Sequence, residues 1–589
     1  MQRPERLLEC EVRKNYDLDT LDPTQRAFAD RVLKWAQELV DTYKWNKKNG
    51  DTKSPPRLRT WLCGSAGSGK TKTLRTIVQH VRLLFQQEHV DANVELTAYT
   101  GIAAFNIGFG AKTCCSSFNI SGTGAWKKDV KGDAARRLEQ QWRSVVLLIV
   151  DEISFIGTAF FARMHFRLQQ GRSRYFSERG LEPGKHTFGD ASVILVGDFG
   201  QLEPIEDVSL VDQETTRNTL HKNLRYLMPH IRHGRFLLQE FKEAFMLNRI
   251  HRSKDDMWWT MSCLRLRDFT CTEKEDYDEW MKHDLDRGHL THEQKKYFDE
   301  EAVWLCARCE DVGARNGRKL RSIVEQQCQV VHKVEAVHHG TQSQQRRAKK
   351  CDSKTFEGLR DTVHLVRGCK VMLTRNVNYA KGLANGTRGK VVGIVYGPGG
   401  LGTFPEAIVV DIPDYDGELH GKFYDGEPTW VPVLPMTSMK EGTRLTRQQF
   451  PLAAAFALTV NKAQGLTLKE GVVIHLVGGS RFRPASKHGL PFGAWTRSES
   501  FAMTAFKNLP PWNDFVRGRD SDMLRMRNAY IEKLWEYHQE TLRQHSDMDT
   551  PAAEAAAHDE WSRARAEDTG VMQREPPRLP CPACANLYS

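Results

Sequence analysis

Residues 59–74 read RTWLCGSAGSGKTKTL, and within them GSAGSGKT, Gly64 to Thr71, fits the phosphate-binding pattern G-x-x-x-x-G-K-[ST]. Arg59 to Cys63 reads as a strand. Beyond the loop, Leu74, Ile77, Val78, Val81, Leu84 and Phe85 fall on one face of a helix. Strand, loop and helix in this order distinguish a phosphate loop from an ordinary glycine turn. Across Gly64, Ser65, Ala66, Gly67, Ser68 and Gly69, the glycines let successive backbone N–H groups curl around the β- and γ-phosphates of ATP. The helix N-terminus adds positive dipole, Lys70 offsets phosphate charge and the Thr71 hydroxyl is a ligand for Mg²⁺.

Working outward, the apolar runs Val94 to Thr100, Val145 to Val150, Val193 to Val196 and Val472 to Val477 have the length and β-branched content of buried parallel strands. The expectation is a doubly wound α/β architecture. Asp151 and Glu152 end the run VVLLIV and place two carboxylates where such sheets carry their sites. One of the two carboxylates is suited to hold Mg²⁺, and the other to orient and deprotonate an attacking water. A third strand runs into GDFGQLEPI, where Asp198 and Gln201 emerge on the same edge and an amide can sense the γ-phosphate. Before an apolar helix over Ala27 to Val40, LDPTQ offers Gln25, whose amide has the donor and acceptor set to read an adenine edge.

The texture changes between about 388 and 435 to short β-rich pieces, KVVGIVY, EAIVVDI and TWVPV, separated by Gly, Pro and Asp turns. This reads as a small β-barrel insert. The polar, basic stretch from 335 to 355 reads as a solvated linker. From Asp547 onward eight acidic residues face four arginines, and the tail becomes Ala-rich and then Pro-rich, the composition of a disordered segment.

Composition narrows the class. At roughly 150 residues per domain, 589 residues imply a multi-lobed chain, and 40% hydrophobic with 27% charged residues excludes fibrous, collagen-like and wholly disordered proteins. The net charge of +11 permits a polyanionic partner without identifying one. The longest apolar stretches, such as Leu452 to Val460, fall far short of the roughly 20 residues a membrane span needs. The first twenty residues mix arginines with glutamates and show no apolar signal core, so the expectation is an intracellular protein without membrane partners. Most of the 13 cysteines are scattered singly, as reduced buried thiols are. Two pairs have ligand spacing, Cys306 with Cys309 and Cys581 with Cys584, but they stand too far apart in sequence to favour one zinc site.

In order along the chain, these and further motifs resemble the petite integration frequency (PIF) type of superfamily 1B helicase, close to the RecD-like branch, over about residues 20 to 510. LDPTQ resembles its Q motif, TAYTGIAAFNIG its motif Ia, LLIVDEISFIG its motif II and GDFGQLEPI its motif III. FMLNRIHRS points to Arg252, GCKVMLTRN with GLANGTRGKV resembles the run before the family's β-barrel insert, PLAAAFALTVNKAQGLTL is the most telling match, and GLPFGAWTRSES points to Arg497. Departures from the family are Ser116 for a histidine, Asn461 for a histidine, Glu203 for a proline, and Trp495 and Glu499 beside Arg497.

The resemblance implies two RecA-like P-loop NTPase lobes with ATP between them and a small SH3-like β-barrel insert in the second lobe. It divides the chain into an N-terminal extension (1–19), a first lobe (20–240), a second lobe (241–387 with a linker, completed by 451–510), the insert (388–450), a helical segment (511–546) and a tail (547–589). The first lobe would supply Lys70, Thr71, Asp151, Glu152 and Gln201; the second would supply Arg252 and Arg497 as fingers, with Gly465 near the nucleotide. Thr100, Gly101, Ala103, Phe105, Asn385, Lys462 and Gln464 would contact DNA, with Phe105 or Phe118 stacking on bases. The implied activity is 5′-to-3′ unwinding of DNA with a 5′ overhang by a protein that is monomeric without DNA, in repair, recombination or telomere maintenance. A DNA-stimulated translocase that never separates strands is the alternative within the class. A non-catalytic nucleic-acid-binding descendant would have lost Lys70, Glu152 or an arginine finger, and all are retained.

Overall fold

The computed structural model describes residues 16–545 apart from 51–52, 121–125, 127–128, 179, 252–255, 271–274, 379–380, 401, 441–442 and 479–482. Most of the expected N-terminal extension, the expected tail, Arg252 and the Cys581/Cys584 pair lie outside the described residues. The chain forms two compact units. Unit 1 comprises Met1–Asp276, Ala485–Ala502 and Pro511–Ser589, and unit 2 comprises Tyr277–Pro484 and Met503–Pro510.

Unit 1 is built on β1 (Arg59–Gly64), β2 (Asn93–Ala98), β3 (Lys112–Thr113), β4 (Val145–Asp151), β5 (Ser192–Gly197) and β6 (Glu243–Leu247). These form one sheet in the order β3-β2-β4-β5-β1-β6, parallel throughout. Because β4 and β5 are buried along their whole length, they read in sequence as unbroken apolar runs. β5 lies between β1 and β4, so the ends of all three strands meet at one edge. The pairing of β6 with β1 explains why unit 1 extends past residue 240, where the resemblance set the lobe boundary. The Pro23–Asn49 helix starts at a capping box in which Asp22 accepts from the Thr24 and Gln25 amides, with Pro23 at the first turn.

β6 is an edge strand, and the Asp522–Gln544 helix covers it. Ala244 N–H donates to Thr541 Oγ1 at 3.2 Å, and His538 Nδ1 lies 3.2 Å from the Ala244 carbonyl. Backbone groups that would otherwise invite another strand are thus occupied by side chains. The same helix lays Tyr530 edge-on against Trp61 and Phe199, with ring centroids 6.1 and 5.7 Å away.

Unit 2 contains β7 (Val303–Cys306), β8 (His332–Glu335), β9 (Thr362–Leu365), β10 (Lys370–Leu373), β11 (Arg388–Val395), β12 (Ala407–Asp411), β13 (Trp430–Val433), β14 (Met436–Met439), β15 (Thr446–Gln449), β16 (Leu452–Ala454), β17 (Ala457–Thr459), β18 (Val472–His475) and β19 (Thr504–Phe506). A parallel sheet runs β17-β7-β18-β19. The insert is an antiparallel sheet in the order β13-β12-β11-β10-β16, with a bulge between Val391 and Gly393. Its members β10 and β16 come from outside the 388–450 range that the resemblance implied for the insert. Pro432 is tolerated because β13 is at the sheet edge. Asn316 bridges the parallel sheet and the five-stranded antiparallel sheet: its Nδ2 donates to the Ala454 and Ala457 carbonyls, and its Oδ1 accepts from Ala457 N–H.

The 335–355 stretch, read as a linker, is folded. A helix over Gln342–Lys349 begins at a Thr341/Gln344 capping box. The fully buried Arg447 then donates to the carbonyls of Ala348, Cys351 and Leu359, holding the segment from a position about a hundred residues away in sequence. Local polarity gave no sign of this long-range clamp.

In unit 1, His165 is buried on the Thr158–Gly171 helix, and its Nδ1 accepts from Phe188 N–H at 3.0 Å. Burial first, then the charges of His233 and Arg59, push its pKa down to about 3. The neutral ring therefore contributes stability that is complete above about pH 6.5 and is lost as pH falls from there toward 3. Chemical denaturation between pH 7 and 5 should show stability falling by up to about 1.4 kcal/mol per pH unit from this group. In His165→Gln the slope over that window should be shallower.

Candidate active site

The phosphate loop leaves β1 and enters the Lys70–Gln87 helix through Gly67 and Gly69, whose φ values are +88° and +84°. That left-handed backbone favours glycine. At Gly69 a Cβ would also fall 2.3 Å from Gln25 Nε2, and at Gly64 it would fall 2.5 Å from Ser68 Oγ. Lys70 Nζ donates to the Gly64 and Ser65 carbonyls at 2.6 and 3.0 Å. Ser68 Oγ is buried without a hydrogen-bond partner. Thr71 stands in the first helical turn.

Gln25 is 1% exposed. Its Oε1 accepts from Asp22 N–H, its Nε2 donates to the Ser68 carbonyl at 3.0 Å, and Nε2 also lies 3.2 Å from His251 Nε2. The glutamine expected to read adenine is thus tied to the back of the phosphate loop. His251 completes the same cluster: its N–H donates to the Gly67 carbonyl and its Nε2 lies 2.7 Å from Asp22 Oδ2. Sequence reading passed over His251 because nothing local links position 251 to position 67.

Asp151 ends β4 and Asp198 follows β5. Glu152 turns off the strand end in the left-handed region, at φ +55°, and its N–H donates to Asp151 Oδ1 at 2.8 Å. Burial raises the Asp151 pKa, against the pull of the Glu152 amide and Lys70. Glu152 is pushed up to about 7, first by burial and then by the charge of Asp151, with Lys70 and Arg497 pulling it down. Its Oε2 is buried and has no hydrogen-bond partner.

Asp198 is handled in the opposite way. Burial pushes its pKa up, but Arg267 and Lys70 outweigh burial and hold it below its ordinary value. Its Oδ1 accepts from Arg267 Nη2 at 2.6 Å, Arg267 Nε at 3.1 Å and Gly200 N–H at 2.8 Å. Gly200 is needed here, since a Cβ would fall 2.2 Å from Arg267 Nε. Arg267 ends the Met257–Arg267 helix, where a lone arginine reads in sequence as ordinary last-turn charge. Gln201 is buried in the same turn, with its N–H donating to the Asp198 carbonyl.

Arg497, which the resemblance assigned to the second lobe, lies in unit 1, because Ala485–Ala502 packs there. It is 3% exposed, donates from Nε to the Gly493 carbonyl and from Nη2 to Thr496 Oγ1, both at 2.9 Å, and is close enough to lower the Glu152 pKa. Two departures from the family pattern lie in this part of the fold. Trp495 is fully buried, edge-on to Phe515, and Glu203 Oε1 lies 3.4 Å from His488 Nδ1.

The other expected residues sit elsewhere. Thr100 caps the Gly101–Ile107 helix by accepting from Ala103 N–H; Ala103 is buried and Phe105 half-buried. Phe118 is fully buried and stacked on Trp142 at 4.8 Å, so it is a core residue and not a base-stacking one. In unit 2, the short Val460–Ala463 helix after β17 carries an exposed Lys462, followed by buried Gln464 and by Gly465 at φ +83°. Asn385 is exposed, and its N–H donates to Asn376 Oδ1. Cys306 is buried at the end of β7 and Cys309 is exposed three residues on.

Edge geometry and donor types fit a nucleotide triphosphate with Mg²⁺: a glycine cradle that a Cβ would fill, an orphaned Ser68 hydroxyl, and Thr71 and Asp151 as oxygen donors. Removing Arg267 should be costly, because Asp198 would remain buried and unpaired. Arg267→Met is expected to lower unfolding free energy by about 3–5 kcal/mol, and adding Asp198→Asn should recover part of that loss in a denaturant titration.

Comparison with known proteins agrees with this geometry. Residues 56–226 match the PIF1-like helicase family and residues 359–394 match the 2B domain of DNA helicase Pif1. The ATP-dependent DNA helicase PIF1 of Danio rerio is 27% identical over 420 residues, covering 69% of this chain and 53% of that protein. The Homo sapiens protein of the same name is 24% identical over 411 residues with the same coverage. The chain spans about half the length of these curated relatives. Among solved structures, the Pif1 helicase of Candida albicans superposes with a TM-score of 0.59 at 21% identity, over 87% of this chain and 99% of that one. A Bacteroides Pif1 helicase in complex with ADP-AlF3 and ssDNA gives 0.53 at 20% identity, over 84% and 97%. This chain therefore has the α/β fold of those Pif1 helicase structures, with parallel sheets of two RecA-like lobes and an antiparallel 2B insert, and its segments 56–226 and 359–394 are similar to the PIF1-like helicase family and the Pif1 2B domain.

Proposed function

We propose that the chain is an ATP-dependent DNA helicase that couples hydrolysis to 5′-to-3′ movement along single-stranded DNA. The observation that carries this reading is the convergence of Lys70, Asp151, Glu152, Asp198, Gln201 and Arg497 on one sheet edge behind a phosphate loop. Lys70 exchanges its loop carbonyls for phosphate oxygens. Glu152, with a pKa raised toward neutrality and an Oε2 without a hydrogen-bond partner among the described residues, takes the proton of the attacking water. Arg497 reaches the same charge cluster and offsets charge that develops on the transferred phosphoryl group. Thr71 and Asp151 would hold Mg²⁺, which when bound offsets phosphate charge. Arg252 is proposed as a second finger on the family resemblance alone.

DNA contact is proposed for Thr100, Gly101, Ala103 and Phe105 in unit 1 and for Asn385, Lys462 and Gln464 in unit 2, with Gly465 near nucleotide. The exposure of Asn385 and Lys462 supports this, as does the complex of a Bacteroides relative with single-stranded DNA. Polarity, and a setting in repair, recombination or telomere maintenance, follow from the resemblance.

Strand displacement on duplexes with opposed overhangs tests the reading. Unwinding is expected with a 5′ overhang and not with a 3′ overhang. Stimulated ATP turnover without strand separation on either substrate would leave a translocase instead. Lys70→Ala should abolish turnover while keeping part of the strand binding, and turnover that survived the change would place the nucleotide elsewhere.

A further inference from the structure

We propose that unit 1 carries a second surface for single-stranded nucleic acid, on the Thr158–Gly171 and Met228–Leu238 helices, formed by residues other than the phosphate loop and the strand-end carboxylates. This goes beyond the motor reading and does not depend on it. Residues 153–177 and 215–239, which carry these two packed helices, contain nine Lys and Arg and no Asp or Glu. Arg217, Lys222 and Arg232 are exposed and make no ion pair among the described residues. Arg174 pairs with Glu139 and Glu178 and Arg235 with Asp212, so the part of the cluster open to a ligand is the exposed set Arg217, Lys222 and Arg232. It favours a polyanion over a protein partner of mixed charge.

Rings lie among these cations. Phe166 stacks on His233 at 4.9 Å with an interplanar angle of 11°, and His233 in turn faces Phe236 at 6.2 Å and 28°. Arg163 and Arg167 lie over Trp126 at 5.3 and 4.3 Å, with His230 edge-on to the same ring. The array ends at the surface: Phe236 is 58% exposed and Tyr226 66% exposed. Exposed aromatic faces beside cations that follow a backbone are the combination that holds unpaired bases, which a stacked duplex does not offer. Among the described residues the Arg163 Nε, His230 Nδ1 and His233 Nε2 atoms have no hydrogen-bond partner, while the nearby charges of Asp207 and Asp129 act on Arg163 and Arg167.

The test is fluorescence anisotropy of the nucleotide-free full chain with labelled oligo-dT of about 30 nucleotides, oligo-dT of about 10 nucleotides and a blunt duplex. For the triple variant Lys222→Gln/Arg232→Gln/Phe236→Ala, the expected result is binding of the long oligonucleotide weakened about tenfold. Its log–log salt slope should be shallower by about 1.4, two lost phosphate contacts on a single strand. Binding of the short oligonucleotide and turnover at saturating DNA should stay unchanged. Arg232→Gln alone should shift the slope by about half as much, which keeps the test valid if the triple variant folds poorly. Wild-type affinity and slope in both variants would overturn the proposal, and a loss confined to the duplex would overturn its assignment to single strands. Because no nucleotide is present, failure of the proposed ATPase leaves this result readable.

Discussion

Asp151, Glu152 and Asp198 leave the ends of two neighbouring buried strands and must share a water-poor sheet edge with Lys70. For scale, two unit charges about 4 Å apart at an effective dielectric near 20 interact by about 4 kcal/mol, unfavourably if alike and favourably if opposite. The site is shaped by how that balance is struck. Asp198 receives a two-pronged guanidinium from Arg267 and an amide from Gly200, and it stays ionised. Glu152 receives no such partner for its Oε2 and rises to about 7. Environments that push neighbouring carboxylates apart in this way separate a fixed charge from one that can exchange a proton.

Holding Arg267 in place recruits the rest of unit 1. Arg527, on the Asp522–Gln544 helix and fully buried, donates to the Arg267 carbonyl at 2.8 Å and to Asp268 Oδ1 at 3.1 Å, and its Nη1 lies 3.1 Å from His488 Nε2. His488 in turn stands beside Glu203 and two residues before the Leu490–Trp495 helix that leads to Arg497. A continuous set of polar contacts therefore connects the turn after β5, the C-terminal helix and the Arg497 segment. Glu203, the residue found where the family has proline, contributes a carboxylate to this set. The Trp495 departure fills core volume against Phe515 and leaves the Arg497 guanidinium directed by Gly493 and Thr496.

Much of this was legible in the sequence where the physics is local. Strands buried on both faces appear as continuous apolar runs, so β1, β4 and β5 were located to within a residue, and the phosphate loop was evident from its glycines and its flanking elements. The three short β pieces of the insert, KVVGIVY, EAIVVDI and TWVPV, fall on β11, β12 and β13. Long-range partnerships were not legible. Arg267 meets Asp198 across 69 positions, and His251 meets Gly67 across 184; each looks like a surface residue in its own window. The basic 335–355 stretch reads as solvated until Arg447 is seen closing its carbonyls, and β10 and β16 join the insert through pairing that no composition shift announces. A phenylalanine at the spacing of Phe118 is more often core than base-stacking, and packing against Trp142 decides for the core.

The account rests on Glu152 as the group left chemically available by an otherwise neutralised edge. The most direct measurement is ATP binding and single-stranded-DNA-stimulated turnover, side by side, in Glu152→Gln. Loss of a general base is expected to lower turnover about 100-fold or more, with nucleotide affinity within a few-fold of wild type, since the amide keeps the side chain's size and removes only its ability to take a proton. Turnover close to wild type in a variant that binds ATP normally would contradict the assignment and with it the reading of this charge balance.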